Sequence, residues 1–225
     1  MKPALSLFTT ILLTFTCLAQ EAPQTQERSK LSISAGAGFG FRTAKVSSSL
    51  EGQVYKDEKS MLSGISFFIA PRYQLNNSYS IGVTYRQFST SKSSNYIPFK
   101  LDANQKRNIY YIGPSIHYLD IQDYAELNMF MSMGYIGYFG EIEIDNEVYR
   151  TTKRTGANLG LEIGIEYLWR IAPNFYAGAS LGYTLGTLSE IKQKTESETQ
   201  TIKLGDDERE GLQFLNLSPL IRLYL

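Results

Sequence analysis

Runs of strict alternation between apolar residues and small or polar ones recur along this chain. Each is about ten to fourteen residues long, which is the signature of a β-strand with one apolar face. No long window carries a 3.6-residue stripe. Beyond the N-terminal segment, no apolar run is long enough for a membrane-spanning helix. Sheet is the only regular structure that this pattern admits.

The first such segment is Leu31 to Phe41. Leu31, Ile33, Ala35, Ala37, Phe39 and Phe41 share one side, with only serine and glycine on the other. A soluble sandwich sets its charges opposite its bulky residues. Here the opposite side is tiny, which suits the crowded interior of a narrow barrel. Further segments run from about Met61 to Tyr73, Ser78 to Phe88, Arg107 to Leu119, Ala125 to Phe139, Thr155 to Trp169, Phe175 to Thr187 and Leu212 to Leu225. The sixth is the clearest, with Leu159, Leu161, Ile163, Ile165, Tyr167 and Trp169 opposite Asn158, Gly160, Glu162, Gly164 and Glu166. Eight is an even number, so an up-and-down meander closes on itself with both termini on one side.

The connections alternate in length. Those after the second, fourth and sixth segments are short: Gln74 to Asn77, Asp120 to Tyr124 and Arg170 to Asn174. The others are long and polar, from about fifteen to more than twenty residues, the asymmetry of outer-membrane barrels with short periplasmic turns and long external loops. Of the 16 tyrosines, 12 phenylalanines and single tryptophan, many fall in two groups. Tyr73, Tyr79, Tyr118, Tyr167, Trp169 and Phe175 lie beside the short turns, where a membrane-interface girdle belongs. Phe39, Phe41, Tyr85, Tyr110, Tyr135 and Phe139 lie toward the opposite rim. The expected fold is therefore an all-β, eight-stranded antiparallel up-and-down transmembrane β-barrel.

Export follows from the N-terminus. Lys2 precedes the apolar stretch Ala4 to Leu18, and Cys17-Leu18-Ala19 offers small residues for cleavage. The reading is a signal peptide over 1–19, cut between Ala19 and Gln20, with acylation at Cys17 as the alternative. Residues 20–30 read as a disordered periplasmic leader, and 31–225 as the barrel domain. Formal net charge is zero with mixed signs, so nothing in the composition points to nucleic acid.

Two stretches carry a family resemblance: Tyr111-Ile112-Gly113-Pro114-Ser115, and the terminal Pro219-Leu220-Ile221-Arg222-Leu223-Tyr224-Leu225. Together with the strand-and-loop pattern of 31–225, the chain resembles the outer membrane protein β-barrel domain family. These are the small eight-stranded OmpA/OmpX-type barrels of Gram-negative bacteria. The resemblance implies a monomer in the cell outer membrane, in contact with lipid and lipopolysaccharide, with periplasmic N- and C-termini. It also implies a last strand read by the barrel-assembly machinery. The family usually ends on an aromatic residue, whereas here Tyr224 stands one place before the terminal Leu225.

An eight-stranded interior is just wide enough for side chains to fill it. The alternation points Arg72, Arg86, His117, Glu162, Glu166 and Arg222 inward. Buried charges of one sign are costly alone, so a polar network is expected in which Glu162 and Glu166 pair with Arg72, Arg86 or Arg222. A packed lumen with a structural or surface-interaction role for the external loops is the expected function. A narrow channel for ions or small solutes is the alternative. A lipid A-modifying enzyme using Ser115 and His117 is a third reading, weakened because both face inward rather than toward lipid. No cofactor or metal is expected: His117 is the sole histidine, and the acidic run Asp206 to Glu210 lacks the ligand spacing of a calcium loop. No ligand for the external loops is specified by their composition.

Overall fold

A computed structural model describes residues 29–44, 52–96, 101–122, 124–145, 150–195, 198–205 and 210–225. The signal segment with Cys17, Ala19 and Gln20, most of the leader, and Asp206 to Arg209 lie outside the described residues. Eight long strands form the barrel: β1 (Leu31–Arg42), β2 (Ser63–Gln74), β3 (Tyr79–Tyr96), β4 (Leu101–Ile121), β5 (Ala125–Asp145), β6 (Arg150–Ala172), β7 (Phe175–Leu188) and β11 (Phe214–Tyr224). Each pairs antiparallel with its chain neighbour, and β11 returns to pair with β1. The ring is closed, with Leu225 N donating to Leu31 O at 2.9 Å. The short elements are α1 (Gly52–Ser60), β8 (Glu190–Lys194), β9 (Thr199–Lys203) and β10 (Glu210–Gly211). β8 pairs with the outer end of β6, and β9 pairs with β8.

The register fixes the tilt. A hydrogen-bonded row starting at Tyr73 passes through Ile81, Ile116, Met131, Ile163, Tyr183 and Leu215 and arrives at Phe41. The direct β1 partner of Tyr73 is Leu31, so one circuit climbs ten residues. Ten residues at about 3.3 Å against eight strands at about 4.8 Å give a tilt of roughly 41°. Each residue then rises about 2.5 Å along the barrel axis, and each step along a row about 3 Å.

On that scale Tyr73, Tyr79, Tyr118, Tyr167, Trp169 and Phe175 occupy a band only about 7 Å deep at the short-turn end. Neighbours within it touch: the Tyr79 and Tyr118 rings are 5.6 Å apart and those of Tyr167 and Trp169 4.6 Å, both edge to face. Phe41, Tyr110, Tyr135 and Leu159 form an upper level about 22 Å higher. Between the two levels the outer face is apolar and exposed, through residues such as Ile65, Ile112, Met131, Ile163 and Leu217. That inverts the soluble arrangement, in which large apolar side chains turn inward.

β3 to β6 continue well past this belt, so Ser89–Lys106, expected as a loop, is largely strand; in the next connection, where hairpin strands above the membrane are expected for Gly140 to Tyr149, β5 runs on to Asp145. Together with β8 and β9 they make a sheet wall on one side of the barrel. The first long connection is also not wholly loop, since it contains α1. Its Glu58 forms an ion pair with Arg107 of β4, the Nη1 donor standing 2.8 Å from Oε2. Arg42, expected to begin that loop, is instead the buried last residue of β1 and donates to Glu210 and Gly211 O, both at 2.8 Å. At belt height β4 and β5 approach most closely at glycines: Gly113 and Gly134 face each other so closely that a Cβ on either would meet the other's Cα.

Candidate functional site

Inward side chains fill the lumen in tiers. Outermost lies an apolar cluster of Phe88, Ile109, Tyr111, Ile136, Tyr138, Leu188, Leu212 and Phe214, with Ile191 of β8 packed on it. Phe88 and Phe214 stack at 5.5 Å. The lid draws on β3, β4, β5, β7, β8 and β11 and on Leu212 between β10 and β11. A second cluster, Phe68, Ala70, Leu168, Tyr176, Leu220 and Tyr224, runs from the level of Arg86 down to the short turns.

Beneath the lid and beside the second cluster sit the charges, which different strands of the ring bring together. Arg86 of β3 donates through Nε to Glu162 Oε1 of β6 at 2.5 Å and through Nη1 to Asn216 Oδ1 at 2.7 Å. Its guanidinium also lies 4.5 Å above the Phe68 ring. Asn216 is held in turn, donating to Gly182 O at 2.9 Å. Lower down, Arg72 makes a bidentate pair with Glu166, Nη1 to Oε2 at 2.9 Å and Nη2 to Oε1 at 2.6 Å. Arg222 donates to the same carboxylate at 2.5 Å, to Ser34 Oγ at 2.8 Å, and pairs with Glu126. Tyr224 closes the chain by donating to Glu126 Oε2 at 2.7 Å. Every one of these charged side chains is almost completely buried.

Three members of this network, Glu126, Asn128 and Asn216, are not among the residues expected to form it, although alternation sets Asn128 and Asn216 on the inward side. Glu126 stands at the second position of β5, where the short turn masks the alternation. Asn128 and Asn216 are polar but uncharged, and alternation alone does not separate them from the serines and glycines that line the wall. For Asn128 the signal is the register, which sets it directly opposite Glu166.

Ser115 and His117 do meet, His117 Nε2 lying 2.8 Å from Ser115 Oγ. The imidazole's other nitrogen, Nδ1, is 3.3 Å from Asn128 Nδ2, and that same amide nitrogen donates to Glu166 Oε2 at 2.7 Å. The carboxylate fixes the amide's orientation, since a flipped amide would set its oxygen against Glu166. Asn128 therefore donates to Nδ1, and the neutral ring carries its proton on Nε2 and donates to the serine. A general base needs a free lone pair facing the hydroxyl; here that nitrogen bears the hydrogen. Both residues are buried in the lumen beneath the lid. Among the described residues, no group of three histidine, cysteine or carboxylate side chains is placed to hold a metal ion.

The comparisons with known proteins bear on the fold. No protein-family model matches the sequence, and no curated protein matches it. Solved structures do. A major outer membrane protein from Thermus thermophilus matches over 88% of this chain and 99% of its own length, at 12% identity and a TM-score of 0.57. Neisserial surface protein A matches over 89% and 100%, at 16% identity and 0.46. Ail, the attachment invasion locus protein of Yersinia pestis, solved with the heparin analogue sucrose octasulfate, matches over 87% and 99%, at 15% identity and 0.47. The closed eight-stranded antiparallel barrel is thus an outer-membrane barrel fold, as the alternation and loop lengths anticipated.

Proposed function

We propose that this chain is an integral protein of a Gram-negative outer membrane, with a closed lumen and a surface-interaction role carried by its one-sided sheet wall. One observation carries the reading: the exposed apolar belt, about 22 Å tall between two aromatic levels, matches the hydrocarbon thickness that such barrels span. The wall of β3 to β6, β8 and β9 rises beyond that belt on one side only. It therefore lies on the external side, and the short turns and both chain ends lie in the periplasm. The terminal strand ending Leu223-Tyr224-Leu225 is the part the assembly machinery would read.

A barrel of this kind keeps its fold in cold detergent and runs differently on a gel before and after boiling. We expect that mobility shift for the membrane-fraction protein, together with cleavage by external protease confined to the wall on intact cells. Identical cold and boiled mobility would count against the membrane reading.

The tiers of side chains leave the lumen closed in this reading: an apolar lid gives no hydration for an ion, and the charges beneath it are paired. Purified protein in a planar bilayer is expected to give no stepwise conductance above the lipid background. Reproducible ohmic steps at neutral pH would overturn the closed lumen. The same burial argues against lipid chemistry at Ser115. Lipid A from cells expressing the chain or its His117→Ala variant is expected to give the same mass spectrum, and a His117-dependent mass change would revive catalysis.

A further inference from the structure

We infer that Met129, Met131 and Met133, which form one lipid-facing column on β5, are a modification site for organic hydroperoxides dissolved in the membrane, and that their oxidation loosens the inserted barrel. The inference rests on the outer-membrane reading and adds to it a reactive site, a class of oxidant and a consequence.

Alternation and exposure single these residues out. Phe130 and Ser132 turn inward and are buried, so the three methionines turn outward, with 46, 59 and 65% of their surface exposed. The chain has five methionines. Met1 lies outside the described residues and Met61 is fully buried. Every thioether that the described residues present to hydrocarbon therefore lies in this one column. Met129 stands between Tyr118 and Ile165, Met131 between Ile116 and Ile163, and Met133 beside Leu161. On the scale fixed by the barrel's tilt, the column runs from about 4 to about 14 Å above Tyr73, inside the apolar belt. Such strand positions favour β-branched side chains, and the neighbouring strands use isoleucine there. To the same apolar surface, methionine adds only a flexible arm and an oxidisable sulfur.

The reaction balances with the hydroperoxide alone. A sulfur lone pair attacks the terminal peroxide oxygen, the O–O bond breaks and an S–O bond forms. The peroxide proton passes to the departing oxygen, so the oxidant leaves as an alcohol. Sulfur loses two electrons and the peroxide gains them. An apolar hydroperoxide partitions into the layer where these sulfurs stand, whereas hydrogen peroxide stays mainly in water. The product is a strong dipole in a poor place for one. Of the side chains flanking the column by register, only Tyr118, at the lower end, carries a hydrogen-bond donor, and the backbone of β5 is paired with β6 along the whole column. A sulfoxide oxygen higher up is left without a hydrogen bond or takes one from the ladder, and either costs stability. Repair of a sulfoxide is enzymatic, and hydrocarbon keeps a water-soluble enzyme from the column. The change therefore lasts as long as the barrel stays inserted.

The test uses the full chain inserted into saturated phosphatidylcholine vesicles, with insertion read first by the gel mobility shift. Cumene hydroperoxide or hydrogen peroxide is then added, together with free methionine as a reference thioether in the water. Peptide mass spectrometry gives the oxidation rate at each methionine relative to that reference. The relative rate at the column is expected to be about tenfold higher with cumene hydroperoxide than with hydrogen peroxide, with Met61 lagging the column in both. At a fixed urea concentration, the folded-to-unfolded ratio of the oxidised barrel should fall by at least about tenfold. Met129→Leu/Met131→Leu/Met133→Leu keeps the apolar volume and should insert, escape oxidation here and hold its urea midpoint under peroxide. Met61→Leu should behave as the parent. Equal relative rates with the two peroxides would show that the sulfurs are reached from water and overturn the inference, as would oxidation of Met61 at the column's pace. An unchanged midpoint in the oxidised parent overturns it as well, and so does an equal peroxide-induced loss in the triple variant. Those results strike the site alone, whereas a chain that never inserts overturns the membrane reading and the site with it.

Discussion

Replacing Glu166 by glutamine is expected to cost the inserted barrel about 3 to 5 kcal/mol, the largest effect of any single change considered for this chain. Glu166 accepts from both nitrogens of Arg72, from Arg222 and from Asn128. Without its charge, Arg222 still has Glu126 and Ser34. Arg72 keeps nothing comparable, and an unpaired guanidinium in a lumen without bulk water is heavily penalised. The measurement is a urea titration of the vesicle-inserted protein, with the unboiled gel band as the signal. The double variant Arg72→Met/Glu166→Leu removes both members of the pair, and most of the lost stability is expected to return. A Glu166→Gln midpoint within about 1 kcal/mol of the parent would show that the network is not load-sharing in this way.

The second large effect concerns the outer face. Ile163 is exposed and stands near the middle of the apolar belt, by the same register that places Tyr73 and Phe41. Ile163→Arg is expected to destabilise the inserted barrel by about 2 to 4 kcal/mol, as an arginine at the bilayer midplane does in such folds. Thr155→Arg lies on the same face of the same strand, eight residues nearer the outer end of β6. It should cost close to nothing. The comparison isolates depth, because strand, face and introduced side chain are held constant. Equal costs at the two positions would mean that the belt does not face hydrocarbon.

How much of this was legible in the sequence depends on what each feature requires. Alternation assigns a side chain to a face, so the outward Ile163 and the inward Glu166 follow directly from Thr155 to Trp169. It does not assign height. Which guanidinium meets which carboxylate depends on the register of seven successive pairings, and those are set by turn geometry and by the ten-residue climb of the whole ring. Arg72 and Glu166 are 94 residues apart, and no local pattern relates them. The strand ends fail for a different reason. Past Phe88 the sequence Ser91-Lys92-Ser93-Ser94 has no apolar face, yet backbone pairing between β3 and β4 continues through Ser94 and Ala103. The ladder needs only its N–H and C=O groups, whereas the alternation signal needs a surface to bury. α1 escaped notice because nine residues with no apolar stripe give no helical period; a tertiary ion pair to Arg107 ties it down.

The closing seam has a kinetic consequence. β1 is made first and β11 last, and the two must find each other across the whole length of the chain. Until they do, two rows of backbone polar groups remain without partners, a state that hydrocarbon tolerates poorly. No half-finished ring is a resting point, so folding and membrane entry must be one event rather than two. Contacts this distant in sequence also make the spontaneous event slow. The longer β1 waits for β11, the longer an unpaired strand edge stays open to other chains.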